Sequence, residues 1–327
     1  MKTCFILSEE KDASTSAVMD NIAYFFPEYT VIRRNYDPKI ADITIHARHG
    51  VNIAIAYAGQ AEVVESNFTS VWYRRGDFLL DHGFGGHKTD QQVLDSLKSE
   101  WSPIQESIPA MFSANKILGN TRADREGRKL SDIIAAGNAG LAIPATLVTT
   151  RKSDLLQFHD SFDKIITKPL NYHLHLENDA CYLSSTGTRV VERNDITALA
   201  DHFAPVFVQQ FIQKELEIRI FFIADRLYPM AIFSQSDEKT KIDYRNYNEE
   251  RPNRNVPFEL PEEINLKVRH FIRATQLSTG SIDLMLGTDG TYYFLEVNPS
   301  GQFGWVSVNC NYYLEEAIAH YLCEDHE

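Results

Sequence analysis

The stretch FLEVNPSGQFGW, Phe294–Trp305, opens as an apolar run and then sets Glu296 and Asn298 two positions apart, immediately before Pro299-Ser300-Gly301. Successive side chains of a strand point to opposite faces, so residues two apart share one, and Glu296 and Asn298 present two oxygen donors side by side. Magnesium takes hard oxygen ligands, commonly one or two carboxylates from the protein with water and substrate phosphates completing the octahedron. The pair therefore reads as a magnesium shelf for a nucleotide. The competing reading is a plain strand-to-turn junction, where Asn298 and Pro299 end the ladder.

Working outward, SIDLMLGTDGTYYFLEVN reads as two strands, Ser281–Leu286 and Thr291–Val297, joined by the short turn Gly287-Thr288-Asp289-Gly290. Asp283 sits on the first strand in an otherwise apolar setting, where a lone carboxylate is costly to bury unless it is paired or binds a metal. A hairpin brings it opposite Glu296 and Asn298. Three such oxygen donors suit one or two magnesium ions bridging phosphate oxygens.

The chain has 327 residues, 43% apolar and 11% aromatic, which suits two or three packed globular units. A net charge of -13 disfavours nonspecific attraction to nucleic acid or to an anionic membrane, while a local basic pocket for phosphate stays compatible with it. Residues 1–10 show no long apolar signal core, and no run of about 18 apolar residues is present to span a bilayer. A cytoplasmic protein is expected. Cys4, Cys181, Cys310 and Cys323 show neither paired disulfide spacing nor a zinc-type CxxC, and read as buried or free thiols.

Residues 1 to about 105 alternate short apolar strands with helical stretches: KTCFIL, the helix-like STSAVMDNIAYFF, TVIRR, a hairpin of ADITIHA and NIAIAYA across Arg48-His49-Gly50, and SVWYRR. The polar helical segment Gln91–Glu100 leads into a second unit. There Leu130, Ile133, Ile134 and Leu141 follow a helical period that Gly140 and Pro144 end. The strands KIITKPL, CYLSST, VFVQQFI, EIRIFFIAD and RLYPMAIFSQ follow, and helical stretches at Glu262–Gln276 and Tyr312–Cys323 frame the hairpin of the shelf. The pattern is α/β at first and α+β thereafter.

For phosphate there is no GxxxxGK[ST], and Gly83-Phe84-Gly85-Gly86 matches no dinucleotide fingerprint in spacing or position, so it reads as a loop. Lys168 ends an apolar strand before Pro169, and Lys129 opens a helix about 40 residues earlier; cations at these two places could clamp phosphates. Each taken alone also reads as a solvated surface charge. In VFVQQFIQKELEIR, the strand end at Gln210-Phe211-Ile212 offers backbone groups and a side-chain amide to an adenine edge. Glu217 offers a carboxylate to ribose hydroxyls. Arg219 shares the strand face of Glu217, and a plain surface ion pair between them is the alternative.

In this order, Lys129, Lys168, Gln210 to Ile212, Glu217 with Arg219, Asp283 and Glu296-x-Asn298 resemble the ATP-grasp ligases over residues 105–323. The resemblance implies an ATP-grasp fold, in which two α+β subdomains clasp ATP behind an N-terminal α/β domain. The expected units are 1–105, 106–205 and 206–327. By position, Lys129 and Lys168 would contact phosphates, Gln210, Phe211 and Ile212 adenine, Glu217 ribose, and Asp283, Glu296 and Asn298 magnesium. Within that superfamily, SVWYRRG, IITKPL, EIRIFFIADRLYPMAIFSQ, KIDYR and FLEVNPSGQFGW look like the maturases of microviridins and other graspetides.

Those enzymes cross-link side chains of a ribosomally made precursor peptide as ω-esters or ω-amides. The narrower resemblance implies ATP and Mg2+ as cofactors and a precursor with a leader and an acidic, hydroxyl- or Lys-containing core as partner, with a homodimer as the assembly to test. It makes Arg219 and Arg245, beside Lys168, candidate active-site cations for phosphate or substrate carboxylate. One departure stands out. NYHLHLENDACYLSS, after Lys168, lacks the glycines that usually let a loop close over phosphate. His173 and His175 share a face but lack a third ligand, so they read as strand surface. Two other readings remain open, a ligase that adds a free amino acid to a protein or peptide and a nucleotide-binding module without catalysis.

Overall fold

The computed structural model describes residues 2–35, 39–46, 50–57, 60–64, 67–80, 90–121, 127–170, 174–178, 181–185, 187–235, 250 and 252–324. Arg245, His173 and Gly83 to Gly86 lie outside the described residues. So do Arg48 and His49 of the first expected hairpin.

The N-terminal unit begins β1 (Lys2–Ser8), α1 (Ala13–Phe25) and β2 (Tyr29–Asn35). It continues through β3 (Lys39–His46), β4 (Gly50–Tyr57), β5 (Gln60–Val64), β6 (Asn67–Tyr73) and β7 (Leu79–Leu80) to α2 (Gln91–Met111) and β8 (Ser113–Leu118). Strands β2, β1, β6 and β8 form a parallel sheet in that order, and β5-β4-β3-β7 form a second sheet in which β3 and β4 are the antiparallel hairpin expected. Helix α1 starts where it does because Asp12 accepts the Thr15 N–H at 3.2 Å as N-cap, and its Thr15, Val18 and Ile22 recur at helical spacing on the buried face.

The expected boundary at 105/106 falls inside a helix. Helix α2 runs through it to Met111, burying Trp101 and Ile108 seven positions apart, and β8 still pairs with β6. The physical reason is the amphipathic stripe, which continues past the polar Gln91–Glu100 that suggested an end.

Next come α3 (Lys129–Asn138), β9 (Thr146–Arg151), α4 (Lys152–Asp160), β10 (Ile165–Thr167), β11 (Leu174–Asn178), β12 (Cys181–Ser185), β13 (Arg189–Val191), α5 (Arg193–Thr197) and β14 (His202–Gln210). Strands β13-β10-β14-β9 make a small antiparallel sheet over Leu155, Ile165, Val191, Ile196 and Val208, while β11 and β12 pair as a hairpin. The expected boundary at 205/206 cuts β14 in two. Helix α3 packs mainly elsewhere. Ile133 and Ala136 join the core of the C-terminal sheet, whereas Leu130 and Ile134, expected on the buried stripe, are exposed, Ile134 by 63%. Alanine supplies the contact that the larger residues were expected to make.

The C-terminal sheet is built from β15 (Lys214–Ile223), β16 (Arg226–Phe233), β17 (Arg254–Pro257), β18 (Thr279–Gly287) and β19 (Tyr292–Asn298), in the order β17-β16-β15-β18-β19. Helix α6 (Glu262–Thr275) lies between β17 and β18 in the chain, and α7 (Gly304–Cys310) and α8 (Leu314–Cys323) close it. Central β15 alternates cleanly: Leu216, Ile218, Ile220 and Phe222 face one core with α3 and α6. Phe221 and Ile223 face a second core shared with Cys4, Ile6, Trp72, Phe303 and Ile318, which fastens the N-terminal sheet to this one. A third core, with Phe5, Phe78, Trp101 and Phe112, fills the far side of the N-terminal sheet. Cys4, Cys310 and Cys323 are free, buried thiols, as read from their spacing.

Candidate active site

The shelf is made by three strands laid side by side. Arg219 on β15 stands opposite Asp283 on β18, and Asp283 opposite Glu296 on β19; one step along, Ser281 stands opposite Asn298. The hairpin thus brings together the acidic residues that the sequence suggested. It does so through a bulge. Leu284 pairs with Phe294 and Asp283 with Glu296, so Leu295 is an extra residue in β19. Plain alternation would put Phe294 and Glu296 on one face. The bulge instead leaves Phe294 in the core with Leu284 and turns Glu296 to the face of Asp283. Asn298 is held in the turn, its Oδ1 accepting the Ser300 N–H at 3.1 Å, and it lies outside the lining of the cleft that Glu296 and Asp283 enter.

Arg219 and Glu217 are not a surface pair. Both are buried, and each has a different partner. Arg219 Nη1 donates to both oxygens of Asp283, at 2.8 and 3.0 Å, and Glu217 Oε1 accepts from Lys214 Nζ at 2.7 Å. Asp283 thus meets the condition for burying a carboxylate by pairing. Lys214 is a site residue that the sequence reading missed. A second bulge, at Glu215, shifts the pairing from Lys214–Gly287 to Leu216–Leu286 and swings Lys214 onto the face of Glu217. Alternation alone assigns Lys214 to the opposite face, so the sequence carries no local signal for it.

The opposite wall comes from the small sheet. Lys168, the residue after β10, lines the same cleft as Gln210, Phe211, Ile212, Glu217, Asp283 and Glu296. Lys129 opens α3 as expected, and its Nζ donates to the Pro169 carbonyl. Lys129 and Lys168 converge on one ring: their ammonium nitrogens lie 5.8 and 5.7 Å from the centroid of Phe207. At the strand end, the Gln210 N–H donates to the Ala145 carbonyl at 2.9 Å and the Phe211 N–H to the Lys164 carbonyl at 3.0 Å. Those two donors are committed to the scaffold.

One cleft therefore joins the Glu217, Asp283 and Glu296 carboxylates and Lys214 of the C-terminal sheet with Lys168 and the Gln210–Ile212 strand end of the small sheet. Among the described residues no three His, Cys, Asp or Glu side chains cluster to hold a metal by themselves. The donor set still fits magnesium bound on a nucleotide, because that ion takes one or two carboxylates and draws its other ligands from phosphates and water. Asp283 and Glu296 are the two carboxylates that stand opposite each other in this cleft.

The arrangement of two sheets about this cleft, with an N-terminal α/β unit behind, is the ATP-grasp fold. The chain is similar to a RiPP-associated ATP-grasp ligase from Chryseobacterium gregarium solved with ADP and a leader and core peptide: 22% identity, TM-score 0.83, covering 100% of this chain and 98% of that one. It is also similar to the macrocyclase MdnC from Microcystis aeruginosa MRC, bound with precursor peptide MdnA: 23% identity, TM-score 0.77, covering 99% and 100%. A third likeness is to the ATP-grasp ligase PsnB complexed with minimal precursor variant, Mg and ADP, at 18% identity and TM-score 0.71 over 98% and 97% of the two chains. No protein-family model and no curated protein matches the chain. No helix among the described residues is long and apolar enough to cross a membrane.

Proposed function

We propose that this protein is an ATP-dependent peptide macrocyclase, joining Asp or Glu side chains of a ribosomally made precursor to Thr, Ser or Lys side chains of the same peptide as ω-esters or ω-amides. The observation that carries the reading is the single cleft lined by Asp283, Glu296, Glu217, Lys168 and the Gln210–Ile212 edge, with Arg219 paired to Asp283 behind it. The full-length likeness to ligases solved with precursor peptides favours a peptide over a free amino acid as substrate.

A carboxylate does not acylate an alcohol or amine in water, because its oxygen is a poor leaving group. Magnesium-ATP, when bound, supplies a phosphoryl group that makes the peptide carboxylate an acyl phosphate, from which the attacking hydroxyl or amine displaces phosphate. The chain's own residues do the rest. Gln210, Phe211 and Ile212 hold the base, and Glu217, oriented by Lys214, accepts from ribose hydroxyls. Lys129 and Lys168 would neutralise phosphate charge, and Asp283 and Glu296 would hold the metal, with Asn298 behind them fixing the turn that follows β19. Arg219, a planar fork beside the shelf, orients the acidic group of the peptide, with Arg245 as a second cation for the same group. Ring closure is intramolecular, so positioning and exclusion of water supply most of the acceleration.

The reading is tested by incubating the enzyme, ATP and magnesium with any short peptide found encoded beside its gene that bears Thr or Lys and Asp or Glu near its end. Mass spectrometry should show loss of one water per ring with one ATP consumed for each. Addition of a free amino acid in place of water loss would establish the other ligase class, and nucleotide binding without any product would leave a binding module.

A further inference from the structure

The motif SVWYRRG is not used by the catalytic reading, yet its first arginine is 3% exposed. Arg74 follows the last residue of β6, where its N–H donates to the Leu7 carbonyl at 2.9 Å, so it stands where the carboxyl ends of β1 and β6 lie side by side. The chain leaves β1 for β2 on one side and returns to β6 on the other, which makes this the crevice of the parallel sheet's switch point. The guanidinium of Arg74 fills it. Nε pairs with Asp12 Oδ2 at 3.1 Å, Nη1 donates to the Ser300 carbonyl at 2.5 Å and faces the Gly301 carbonyl at 3.5 Å, and Nη2 donates to Gln302 Oε1 at 3.1 Å. Its central carbon lies 5.3 Å from the centroid of Phe303. All three nitrogens thus grip the loop that leaves β19, or the helix cap that anchors the grip.

The other side of that loop touches the shelf. A Cβ built on Gly301 would stand 2.4 Å from Ser281 Oγ, 2.6 Å from Ser281 Cβ and 3.0 Å from Arg219 Nη2. Ser281 is fully buried, and its Oγ finds no hydrogen-bond partner among the described residues. The Gly301 backbone is therefore clamped between Arg74 from the N-terminal sheet and Arg219 from the C-terminal sheet, and Arg219 in turn holds both oxygens of Asp283.

We propose that Arg74 is a positioning residue: through the Ser300–Gly301 backbone it fixes the guanidinium of Arg219, and with it the orientation of Asp283 toward the metal. The proposal rests on the nucleotide reading above. It makes the N-terminal sheet part of the active site's framework rather than an appended unit. A lysine at 74 keeps the charge but loses the planar fork that reaches Asp12, two carbonyls and an amide at once. Gly301 is the complementary point of control, since the loop can lie against Arg219 only without a side chain there.

The test is calorimetric titration of ADP with and without Mg2+ into wild type, Arg74→Lys, Gly301→Ala and the pair Gly301→Ala/Ser281→Gly, beside thermal unfolding of each. Arg74→Lys should lower the magnesium-dependent gain in ADP affinity by about ten- to a hundredfold, as supporting-residue changes do to metal binding. Magnesium-free ADP affinity should hold, because the Gln210–Ile212 edge is untouched. Gly301→Ala should act in the same direction, and Ser281→Gly should restore part of the loss by removing the nearest obstacle. A lower unfolding temperature with an unchanged magnesium gain would make Arg74 merely structural and overturn the proposal. If Arg74→Lys does not fold, an unchanged magnesium gain in Gly301→Ala overturns it. A wild type that binds ADP without regard to magnesium sinks the nucleotide reading and this one together, whereas normal magnesium behaviour without peptide product strikes only the macrocyclase reading.

Discussion

Lys214→Met separates the energetics of the buried pair in the cleft from its chemistry. The side chains of Lys214 and Glu217 are 2% and 7% exposed, with Nζ and Oε1 2.7 Å apart. At an effective dielectric of about 20 the attraction is roughly 6 kcal/mol, most of it offset by the cost of taking both charges out of water. Deleting one partner removes the attraction and keeps the other's desolvation, and such changes typically cost about 3–5 kcal/mol. Methionine preserves the apolar stem of the lysine, so lost packing adds little. At about 2–4 °C per kcal/mol for a chain of this size, the unfolding midpoint should fall by roughly 6–20 °C.

The double variant Lys214→Met/Glu217→Leu removes both charges, and replacing a buried pair by apolar groups is often neutral or stabilising by about 1–4 kcal/mol. It should therefore recover most of the loss, measured by urea and thermal unfolding followed by circular dichroism. ADP affinity should not recover with it if Glu217 accepts from the ribose. A single variant within about 1 kcal/mol of wild type, or a double variant no more stable than the single, would refute the claim that this pair is held by mutual neutralisation in a dry site.

Glu296→Gln, nearly isosteric, should leave the unfolding midpoint unchanged and abolish magnesium-dependent ATP turnover; turnover at the wild-type rate removes Glu296 from the metal site. Arg219→Ala should destabilise by about 3–5 kcal/mol, because it removes the guanidinium from which both Asp283 oxygens accept, and Arg219→Lys should restore stability better than ring formation. Near-normal stability of the alanine variant, by chemical unfolding, would contradict the Arg219–Asp283 pair. Burial pushes the Cys310 thiol from the ordinary 9.0 up to about 11. A group whose folded pKa is raised contributes stability that is complete below its unfolded value and lost as pH rises through the folded one, so stability should decline between about pH 9 and 11. Cys310→Ser should flatten that part of the profile, and an unaltered profile would deny Cys310 its share.

Much of the site was legible in linear order. The spacing in FLEVN, the apolar setting of Asp283 and the alternation of EIRIFFI are local properties, set by a period of two, and they mark Asp283 and Glu296 as members of one hairpin without giving their register. The hairpin, the helix opening at Lys129 and the strand end at Gln210 are likewise written in short-range signals. Tertiary structure alone decided the rest. Two bulges, at Glu215 and Leu295, reverse which face their neighbours occupy, and a bulge costs one residue in the register without any local mark in the sequence. Partners in ion pairs are chosen by three-dimensional proximity, so Arg219 took Asp283, 64 positions away, rather than Glu217 beside it, and Glu217 took Lys214. Arg74 reaches Ser300 across 226 positions for the same reason. Positions 105/106 and 205/206 fall inside α2 and β14, because membership of an element is settled by pairing and packing, to which composition is blind. Period and polarity fix what a segment is; which face it turns and what it grips depend on the packing of segments that the chain keeps far apart.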